Sequence, residues 1–315
     1  MVENKSFLTK DNTQVFYKIW LPQNNQPVAI LQIIHGMAEY IDRYNEFAEY
    51  LNKKNICVYA HDQRGHGQTG LKRGKGNYKE AKMGFLAPKN GWKLLVEDAK
   101  QMTEIIKKDF PNTPLFILGH SMGSLVLRSY LLTYKEYPKG VIISGTTWGN
   151  KTKLLAGIAL SNILSLINGK SKHSRTLTKI TFAGFNGPFY PLKTKYDWLS
   201  RDHERNQNYT DDPLCGFYCS NNFFKDLSKL VLFASNSNKL VNIPKEIPMF
   251  LICGSMDPVG EFGKGVQKVF NIFTSLGVND LKMKMYEGGR HEMLNEINRQ
   301  EVFEDIFNWI NLHNN

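Results

Sequence analysis

One serine in this chain lies in a glycine-bounded turn that is suited to nucleophilic chemistry. Ser121 is at the centre of Gly119–Gly123 (GHSMG), between the apolar run Leu115–Leu118 and a helical pattern over Met122–Tyr134. This strand–turn–helix context is the one in which G-x-S-x-G carries a nucleophile. The two glycines leave room for a sharp turn, and the start of the following helix favours developing negative charge. The segment therefore predicts a serine nucleophile.

A serine hydroxyl is a weak nucleophile, so the chain must also supply a base and a group that orients the base. Asp257 follows the apolar run Met249–Cys253 in a turn that contains a proline. His291 follows the last predicted strand, Leu281–Tyr286, in a loop with two glycines. Serine, acid and histidine in this order are expected to meet at the carboxyl ends of parallel strands. We therefore predict Ser121 as nucleophile, His291 as base and Asp257 as the orienting acid.

Backbone amides near the serine are candidates for stabilising the oxyanion of an acyl-transfer intermediate. One is the N–H of Met122, the residue after the nucleophile, and the other is the N–H of Met37. Met37 follows His35 and Gly36 in the loop after the early apolar run Val28–Ile34. We predict donors at Met37 and Met122, with His35 and Gly36 supporting the loop, since the glycine lets the backbone turn.

Apolar runs alternate with helical patterns along most of the chain, which predicts an α/β fold with a doubly wound, mostly parallel sheet. The alternation stops at residues 148–231, so we expect an inserted helical cap there, over a core of residues 1–147 and 232–315. The apolar cap segment Leu154–Ile167 is suited to packing on the core, lining an acyl tunnel or resting on a membrane. The predicted strands are Val15–Trp20, Val28–Ile34, Ile56–Ala60, Leu115–Leu118, Val141–Ser144, Met249–Cys253 and Leu281–Tyr286, and the predicted core helices are Tyr44–Asn52, Trp92–Asp109, Met122–Tyr134, Gly263–Leu276 and Val302–Leu312.

Three segments, in order, resemble one known family. Residues 35–44 begin with His-Gly and include Glu39 and Arg43, as in the H-G-x-x-E-H…R-Y segment of monoacylglycerol lipases and related bacterial lysophospholipases. Residues 62–69 (DQRGHGQT) are similar to that family's D-x-R-G-H-G-x-S segment, and GHSMG matches its nucleophile turn. Tyr40 stands where the family often has His, and Thr69 where Ser is usual.

The resemblance implies the α/β-hydrolase fold, with the acid and base at Asp257 and His291. It further implies that Asp62 and Arg64 tie down a turn near the site and that His66 belongs to the scaffold. Serine-aminopeptidase-type relatives share the same pattern. The resemblance therefore identifies the superfamily of serine hydrolases better than it identifies the substrate.

The net charge of +11 raises the question of an acidic partner. The sequence has no run of five or six like charges and no interleaving of arginines with aromatic residues. We therefore expect no nucleic-acid binding and, at most, weak peripheral contact with an anionic membrane. It also has no H-E-x-x-H or Walker motif, so we expect neither a metal nor a cofactor. The polar segment 1–11 is unlike a signal peptide and no apolar stretch is long enough to span a bilayer, which predicts a soluble, cytoplasmic protein.

These observations predict a serine carboxylic-ester hydrolase that acts on a small lipid-like acyl ester, a monoacylglycerol or a lysophospholipid, through an acyl-enzyme. One alternative is a serine aminopeptidase, in which cap carboxylates would hold the substrate ammonium group. Asp202, Glu204, Asp211 and Asp212 are available for that role. A second alternative is a non-catalytic ligand-binding receptor on the same scaffold, which the set of serine, acid and histidine argues against.

Overall fold

The computed structural model of the protein describes residues 1–23, 25–71 and 83–314. The strands are β1 Val2–Leu8, β2 Gln14–Trp20, β3 Ala29–Ile34, β4 Ile56–His61, β5 Leu115–His120, β6 Gly140–Ser144, β7 Met249–Gly254 and β8 Leu281–Tyr286. They form one sheet in the order β1-β2-β4-β3-β5-β6-β7-β8. The β1–β2 and β2–β4 pairs are antiparallel, and all other neighbouring pairs are parallel. The predicted mostly parallel sheet is confirmed.

Helices cover both faces of this sheet. The helices are α1 Asn45–Asn52, α2 Gly67–Leu71, α3 Gly91–Asp109, α4 Met122–Thr133, α5 Lys151–Asn168, α6 Arg175–Thr181, α7 His203–Asp211, α8 Asn221–Ala234, α9 Ser237–Leu240, α10 Lys264–Ser275 and α11 Arg299–Leu312, with short 3₁₀ turns at Ile41–Tyr44, Gly187–Phe189 and Met293–Asn295. Alternate residues of β5 show how the core divides: Phe116 and Leu118 pack with α1 and α11, whereas Leu115 and Ile117 pack on the α3–α4 side. Both faces of the sheet at β5 are therefore covered by apolar side chains and shielded from water, as continuous apolar runs in parallel strands require.

The seven predicted strands are all present, with ends that differ by at most two residues. The apolar pattern does not predict β1, because this edge strand is largely exposed and carries polar residues. Pairing holds β1 in place: it lies antiparallel to β2 along its whole length, from Val2 opposite Trp20 to Leu8 opposite Gln14. Backbone hydrogen bonding, which leaves no hydrophobic signature, forms this strand.

The inserted segment lies between β6 and β7 and consists mainly of α5, α6, α7 and α8. The proposed cap boundary at residue 231 falls inside α8, which packs on α5 of the cap and also on α3 and α4 of the core. Helix α8 therefore connects the cap to the core. None of the described helices combines the length and the apolar character that a membrane span requires.

Candidate active site

Ser121 occupies a strained turn between β5 and α4. Its backbone has φ 53° and ψ −118°, a conformation that L-residues rarely adopt, and its N–H donates to the carbonyl of Ser144 at 2.9 Å. Close packing excludes side chains on the two flanking glycines. A methyl group on Gly119 would lie 2.5 Å from the carbonyl oxygen of Gly123, and one on Gly123 would lie 1.9 Å from that of Ile34. Glycine is thus the residue that lets strand and helix approach each other at the serine.

The predicted acid and base meet beyond the ends of β7 and β8. Nδ1 of His291 lies 3.0 Å from each carboxylate oxygen of Asp257, and both side chains are buried. The N–H of Val259 donates to the same carboxylate at 2.8 Å. A carboxylate against Nδ1 keeps the proton on that nitrogen, which leaves Nε2 as the acceptor.

The electrostatics of His291 follow from this contact. Burial lowers the pKa of the imidazole, but the Asp257 carboxylate outweighs burial, and the pKa is raised above the ordinary value for histidine. The cap supplies the aromatic ring of Trp198, whose centroid lies 5.3 Å from that of His291. His291 is therefore held between a charged partner from the core and an apolar one from the cap.

Gly145 is a contact of the site that sequence reasoning missed. It follows β6 directly, with φ +57°, and a methyl group on it would lie 3.0 Å from Cε1 of His291 and 3.2 Å from Cε1 of His120. Both rings therefore pack against this backbone. The available signal is position: a glycine at the carboxyl end of a strand next to β5 is where close approach to a site is expected.

The two predicted oxyanion donors are near the same serine. Met37 and Met122 both line the cavity that contains Ser121, and within the described part of the chain neither amide donates to a protein acceptor. A methyl group on Gly36 would lie 3.2 Å from Cβ of Ser121, so the loop that carries Met37 packs directly against the serine. Two unused N–H groups beside a hydroxyl are what an oxyanion site requires.

His35 fastens this loop to the segment after β4. Its Nε2 accepts from the N–H of Gln63 at 2.9 Å, and its Nδ1 donates to the carbonyl of Gly36 at 2.8 Å. Burial lowers the pKa of His35 well below its ordinary value, so the ring is neutral and keeps one donor and one acceptor. His35 therefore has a supporting position, as its predicted role requires.

A buried ionic group connects the oxyanion loop to the histidine loop, and sequence reasoning did not identify its role. Arg43 donates to both carboxylate oxygens of Glu292, at 2.5 and 2.6 Å, and to Glu39 at 3.0 Å. Glu39 in turn accepts from the N–H of Gly36 and from the hydroxyl of Tyr44. Burial raises the pKa of both carboxyl groups, because it disfavours their charged forms. At Glu292 the positive charge of Arg43 outweighs burial, and the pKa is lowered. At Glu39 burial outweighs Arg43, and the pKa is raised.

The second motif segment lies behind the site. Asp62 accepts from two backbone amides, and Arg64 donates to Asp98 on α3 and to Asp11 in the β1–β2 turn. His66 is buried, with Nδ1 donating to the carbonyl of Arg64 at 2.8 Å. These contacts support the scaffold role that the resemblance implies.

A cavity of about 640 Å³ between core and cap contains the serine, the histidine and both amide donors in its wall. Its volume is in the range typical of small-molecule sites. The cap and α8 contribute most of the remaining wall, which is predominantly apolar and includes Leu154, Leu160, Leu177, Phe185, Phe224 and Leu227. The arrangement can hold an extended apolar group with one end at Ser121.

The four cap carboxylates point to no ammonium site. Within the described residues, none of Asp202, Glu204, Asp211 and Asp212 lines the cavity. Asp202 accepts from the first turn of α7 and pairs with Arg299, and Asp212 accepts from the hydroxyl of Tyr40 at 2.8 Å. Tyr40, where the family often has histidine, therefore fastens the core loop to the cap.

A family model described as "Serine aminopeptidase, S33" matches residues 25–298. The chain belongs to this family. The match includes β3 to β8, the cap and all of the predicted site residues. The family-level resemblance drawn from the three motif segments is thereby confirmed.

Individual relatives narrow the enzyme class. The chain is 26% identical to the monoglyceride lipase of Mus musculus over 95% of its own length and 88% of the relative's. It is 25% identical to the monoacylglycerol lipase of Mycolicibacterium smegmatis over 98% and 96%. A thermostable carboxyl esterase from Bacillus coagulans, solved with glycerol, superposes with a TM-score of 0.88 at 27% identity, covering 100% of this chain and 99% of that one. The α/β-hydrolase fold and the serine ester hydrolase class are confirmed.

Proposed function

We propose that this protein hydrolyses a long-chain acyl ester, a monoacylglycerol or a lysophospholipid, with Ser121, His291 and Asp257 as its catalytic residues. The observation that carries the proposal is the predominantly apolar cavity whose lining includes the serine, the histidine and both predicted amide donors. An acyl chain fits such a wall, because burial of each methylene group is favourable by about 0.8 kcal/mol. The lipase names of the two relatives favour the same substrate class.

The first half of the reaction forms an acyl-enzyme. The oxygen of Ser121 attacks the ester carbonyl while Nε2 of His291 takes the hydroxyl proton. The carbonyl oxygen becomes an oxyanion, which accepts hydrogen bonds from the N–H groups of Met37 and Met122. The C–O bond to the leaving alcohol then breaks, and His291 returns its proton to that alcohol.

The second half releases the fatty acid. His291 takes a proton from a water molecule, whose oxygen attacks the acyl carbon. The bond between that carbon and the serine oxygen breaks, and His291 gives the proton back to Ser121. Asp257 keeps its negative charge throughout and stabilises the imidazolium that forms twice in the cycle.

Aminopeptidase activity is the alternative that the family description itself raises. It needs an acidic group free to bind an α-ammonium group. Glu39 and Glu292 line the cavity, but both are bound to Arg43, and the cap carboxylates do not line the cavity wall within the described structure. The charge pattern therefore favours an ester with an uncharged acyl chain.

A substrate panel tests the proposal. Purified protein is given p-nitrophenyl acetate, octanoate and palmitate, monooleoylglycerol, lysophosphatidylcholine and leucine naphthylamide. We expect ester turnover to exceed amide turnover and kcat/KM to increase from acetyl to octanoyl. Ser121→Ala is the matched control, because it removes one oxygen atom from the wall. Intact-mass detection of an acyl adduct on wild type, absent from Ser121→Ala, would support the acyl-enzyme. Faster cleavage of the naphthylamide, or ester turnover that survives Ser121→Ala, would refute the proposal.

A further inference from the structure

The residue after one of the predicted oxyanion donors has an unusual backbone conformation. Ala38 follows Met37 and has φ 56°, in the left-handed region that residues other than glycine rarely adopt. Ala38 is buried, and it lines the same cavity as Ser121. A backbone conformation of this kind persists only where the surrounding structure holds it. The contacts of Ala38 therefore identify what fixes the loop that carries the Met37 N–H.

Two donors from the cap hold the carbonyl oxygen of Ala38. The hydroxyl of Tyr209, on α7, donates to this oxygen at 2.8 Å, and the N–H of Gly216 donates to it at 2.9 Å. A carbonyl oxygen has two lone pairs, so these two bonds use both of them. The direction of this peptide group is therefore set by residues of the cap, although the loop itself belongs to the core.

The core holds the other end of the same short stretch of backbone. The N–H of Gly36 donates to the carboxylate of Glu39, which is itself paired with Arg43. The Met37 N–H thus lies between an anchor from the core at Gly36 and an anchor from the cap at Ala38. An oxyanion donor is effective when its direction is fixed before the reaction, because no free energy is then spent on turning it. Both anchors therefore bear on the chemistry at Ser121.

Tyr209 is held on both sides of its ring. The ring centroids of Tyr209 and Tyr196 lie 4.6 Å apart at an interplanar angle of 74°, a favourable edge-to-face arrangement. Cζ of Arg43 lies 4.7 Å from the centroid of Tyr209, within the range of a cation–π contact. Burial raises the pKa of Tyr209 well above its ordinary value, so the hydroxyl keeps its proton and stays a donor. The cap anchor therefore has a fixed geometry of its own.

Gly216 is required at its position by the same group of side chains. It has φ 60°, and a methyl group on it would lie 2.0 Å from the hydroxyl oxygen of Tyr196. That hydroxyl donates to the carbonyl of Gly216 at 2.8 Å. A residue without a side chain therefore lets the Gly216 N–H reach Ala38 while Tyr196 supports Tyr209.

We propose that Tyr209 is a positioning residue for the oxyanion donor at Met37. Its hydroxyl, together with the N–H of Gly216, holds the Ala38 carbonyl and so fixes the direction of the Met37 N–H. The cap then takes part in acyl transfer as well as enclosing the cavity. The proposal rests on the proposed function, because it assigns a role within that reaction. A role confined to fastening the cap to the core would affect substrate binding and stability, and the two roles therefore differ in their kinetics.

The experiment uses Tyr209→Phe, which removes one hydroxyl and keeps the ring. Loss of a whole oxyanion donor reduces kcat about 10²–10³-fold, and here Gly216 still holds the carbonyl, so we expect kcat on p-nitrophenyl butyrate to fall about tenfold. KM should stay near the wild-type value, because the Met37 N–H binds the oxyanion and not the ground-state ester.

A transition-state analogue provides a second readout. Octaneboronic acid forms a tetrahedral adduct with the oxygen of Ser121 and places one of its own oxygens in the oxyanion site. Its affinity, measured by isothermal titration calorimetry, should fall in Tyr209→Phe by about the same factor as kcat. Octanol forms no adduct and should bind the wild type and the variant equally.

Two other tyrosines supply matched controls. Tyr40→Phe removes a different hydroxyl hydrogen bond between core and cap, the one to Asp212. Tyr59→Phe removes a hydroxyl hydrogen bond within the core, the one to Asp109 at 3.0 Å. Both controls should lose some stability in thermal unfolding but keep the wild-type kcat on p-nitrophenyl butyrate and the wild-type affinity for the boronic acid.

Three results would overturn the role of Tyr209. They are a rise in KM with kcat and boronate affinity unchanged, a loss of kcat no greater than that in Tyr40→Phe, and a loss of kcat without a loss of boronate affinity. The first of these would assign Tyr209 to fastening the cap alone.

Ester cleavage by the wild type tests the proposed function separately. If the wild type cleaves no ester but binds the boronic acid more tightly than Tyr209→Phe does, the role of Tyr209 stands and the proposed function fails. If esters are cleaved and the two proteins bind the boronic acid equally, the reverse holds. A wild type that binds no boronic acid would overturn the role of Tyr209, whatever its activity on esters.

Discussion

Charged side chains are arranged differently on the core side and on the cap side of the cavity. On the core side, Arg43, Glu39 and Glu292 are buried and bonded to one another, and Asp257 is bonded to His291. On the cap side, residues 148–196 carry eight exposed lysine and arginine side chains, none of which forms an ion pair within the part of the chain that the structure describes. Stabilising a developing oxyanion requires groups held in advance in a dry site, whereas exposed cations are surrounded by water and screened by salt. The charged groups that are held in fixed positions therefore lie on the same side of the cavity as the candidate catalytic residues.

The largest expected effect comes from the core side. Asp257→Asn keeps the size of the side chain but presents an amide to Nδ1 of His291, which favours the wrong tautomer of the imidazole. We expect kcat on a soluble ester to fall about 10⁴-fold with the fold intact. Steady-state kinetics and circular dichroism measure the two quantities. A loss below about tenfold would remove Asp257 from the proposed mechanism.

Arg43→Ala should be the most destabilising change of a single side chain in the site. It leaves Glu39 and Glu292 buried without their cation, and such a loss costs about 3–5 kcal/mol in the free energy of unfolding. Urea denaturation measures it. Arg205→Ala, which breaks a more exposed pair with Glu46, is the control and should cost about 1 kcal/mol or less. Equal losses in the free energy of unfolding for the two variants would show that the burial of Arg43 does not make its ion pairs more important than the exposed pair of Arg205.

Gly145→Ala tests the contact that sequence reasoning missed. The added methyl group would press on the rings of His291 and His120, and a displacement of a catalytic group by about 1 Å can reduce the rate about 10²-fold. Gly277→Ala controls for backbone strain, because Gly277 also has a positive φ but no atom within 4 Å of an added methyl group. Kinetics on a soluble ester should separate the two variants. Equal activities would mean that the ring contact has no catalytic consequence.

The pH dependence of kcat/KM reports the His291–Asp257 contact. The base must be neutral to act, and its pKa is raised above the ordinary value, so activity should be lost as pH falls through a midpoint above about 6.5. Below that midpoint the rate should fall about tenfold per pH unit. In Asp257→Asn the residual activity should have its acid limb at lower pH, because the carboxylate that favours the imidazolium is gone. A limb that does not move would assign the titration to another group.

Tyr40→Phe should have the smallest effect and acts where core and cap meet. It removes the hydroxyl that donates to Asp212, a neutral-to-charged hydrogen bond whose net contribution is about 1.5 kcal/mol. We expect a modest loss of stability and a rise in KM for long-chain esters, with little change in kcat. Thermal unfolding and a chain-length series measure both. A change in kcat alone would indicate that the cap acts on the chemistry and not on binding.

Sequence alone determined most of the fold and the identity of the candidate catalytic residues. Strands such as Met249–Gly254 are buried on both faces, so they appear in the sequence as apolar runs. The turn GHSMG requires its two glycines, and these are visible in the sequence. The expectation that Ser121, Asp257 and His291 meet follows from the rule that parallel strands present their carboxyl ends at one edge of the sheet. These features depend on local sequence pattern and can therefore be predicted without a three-dimensional structure.

Tertiary structure alone decided which side chains meet across the chain. The bond from Arg43 to Glu292 spans 249 residues, and the packing of Gly145 on His291 joins two loops that have no shared sequence signal. The apolar segment of α5 is divided by the fold, with Leu154 and Leu160 in the cavity wall and Leu155 and Leu166 in solvent. Helical periodicity identifies the faces of such a segment, but the neighbours that cover each face are supplied by distant parts of the chain.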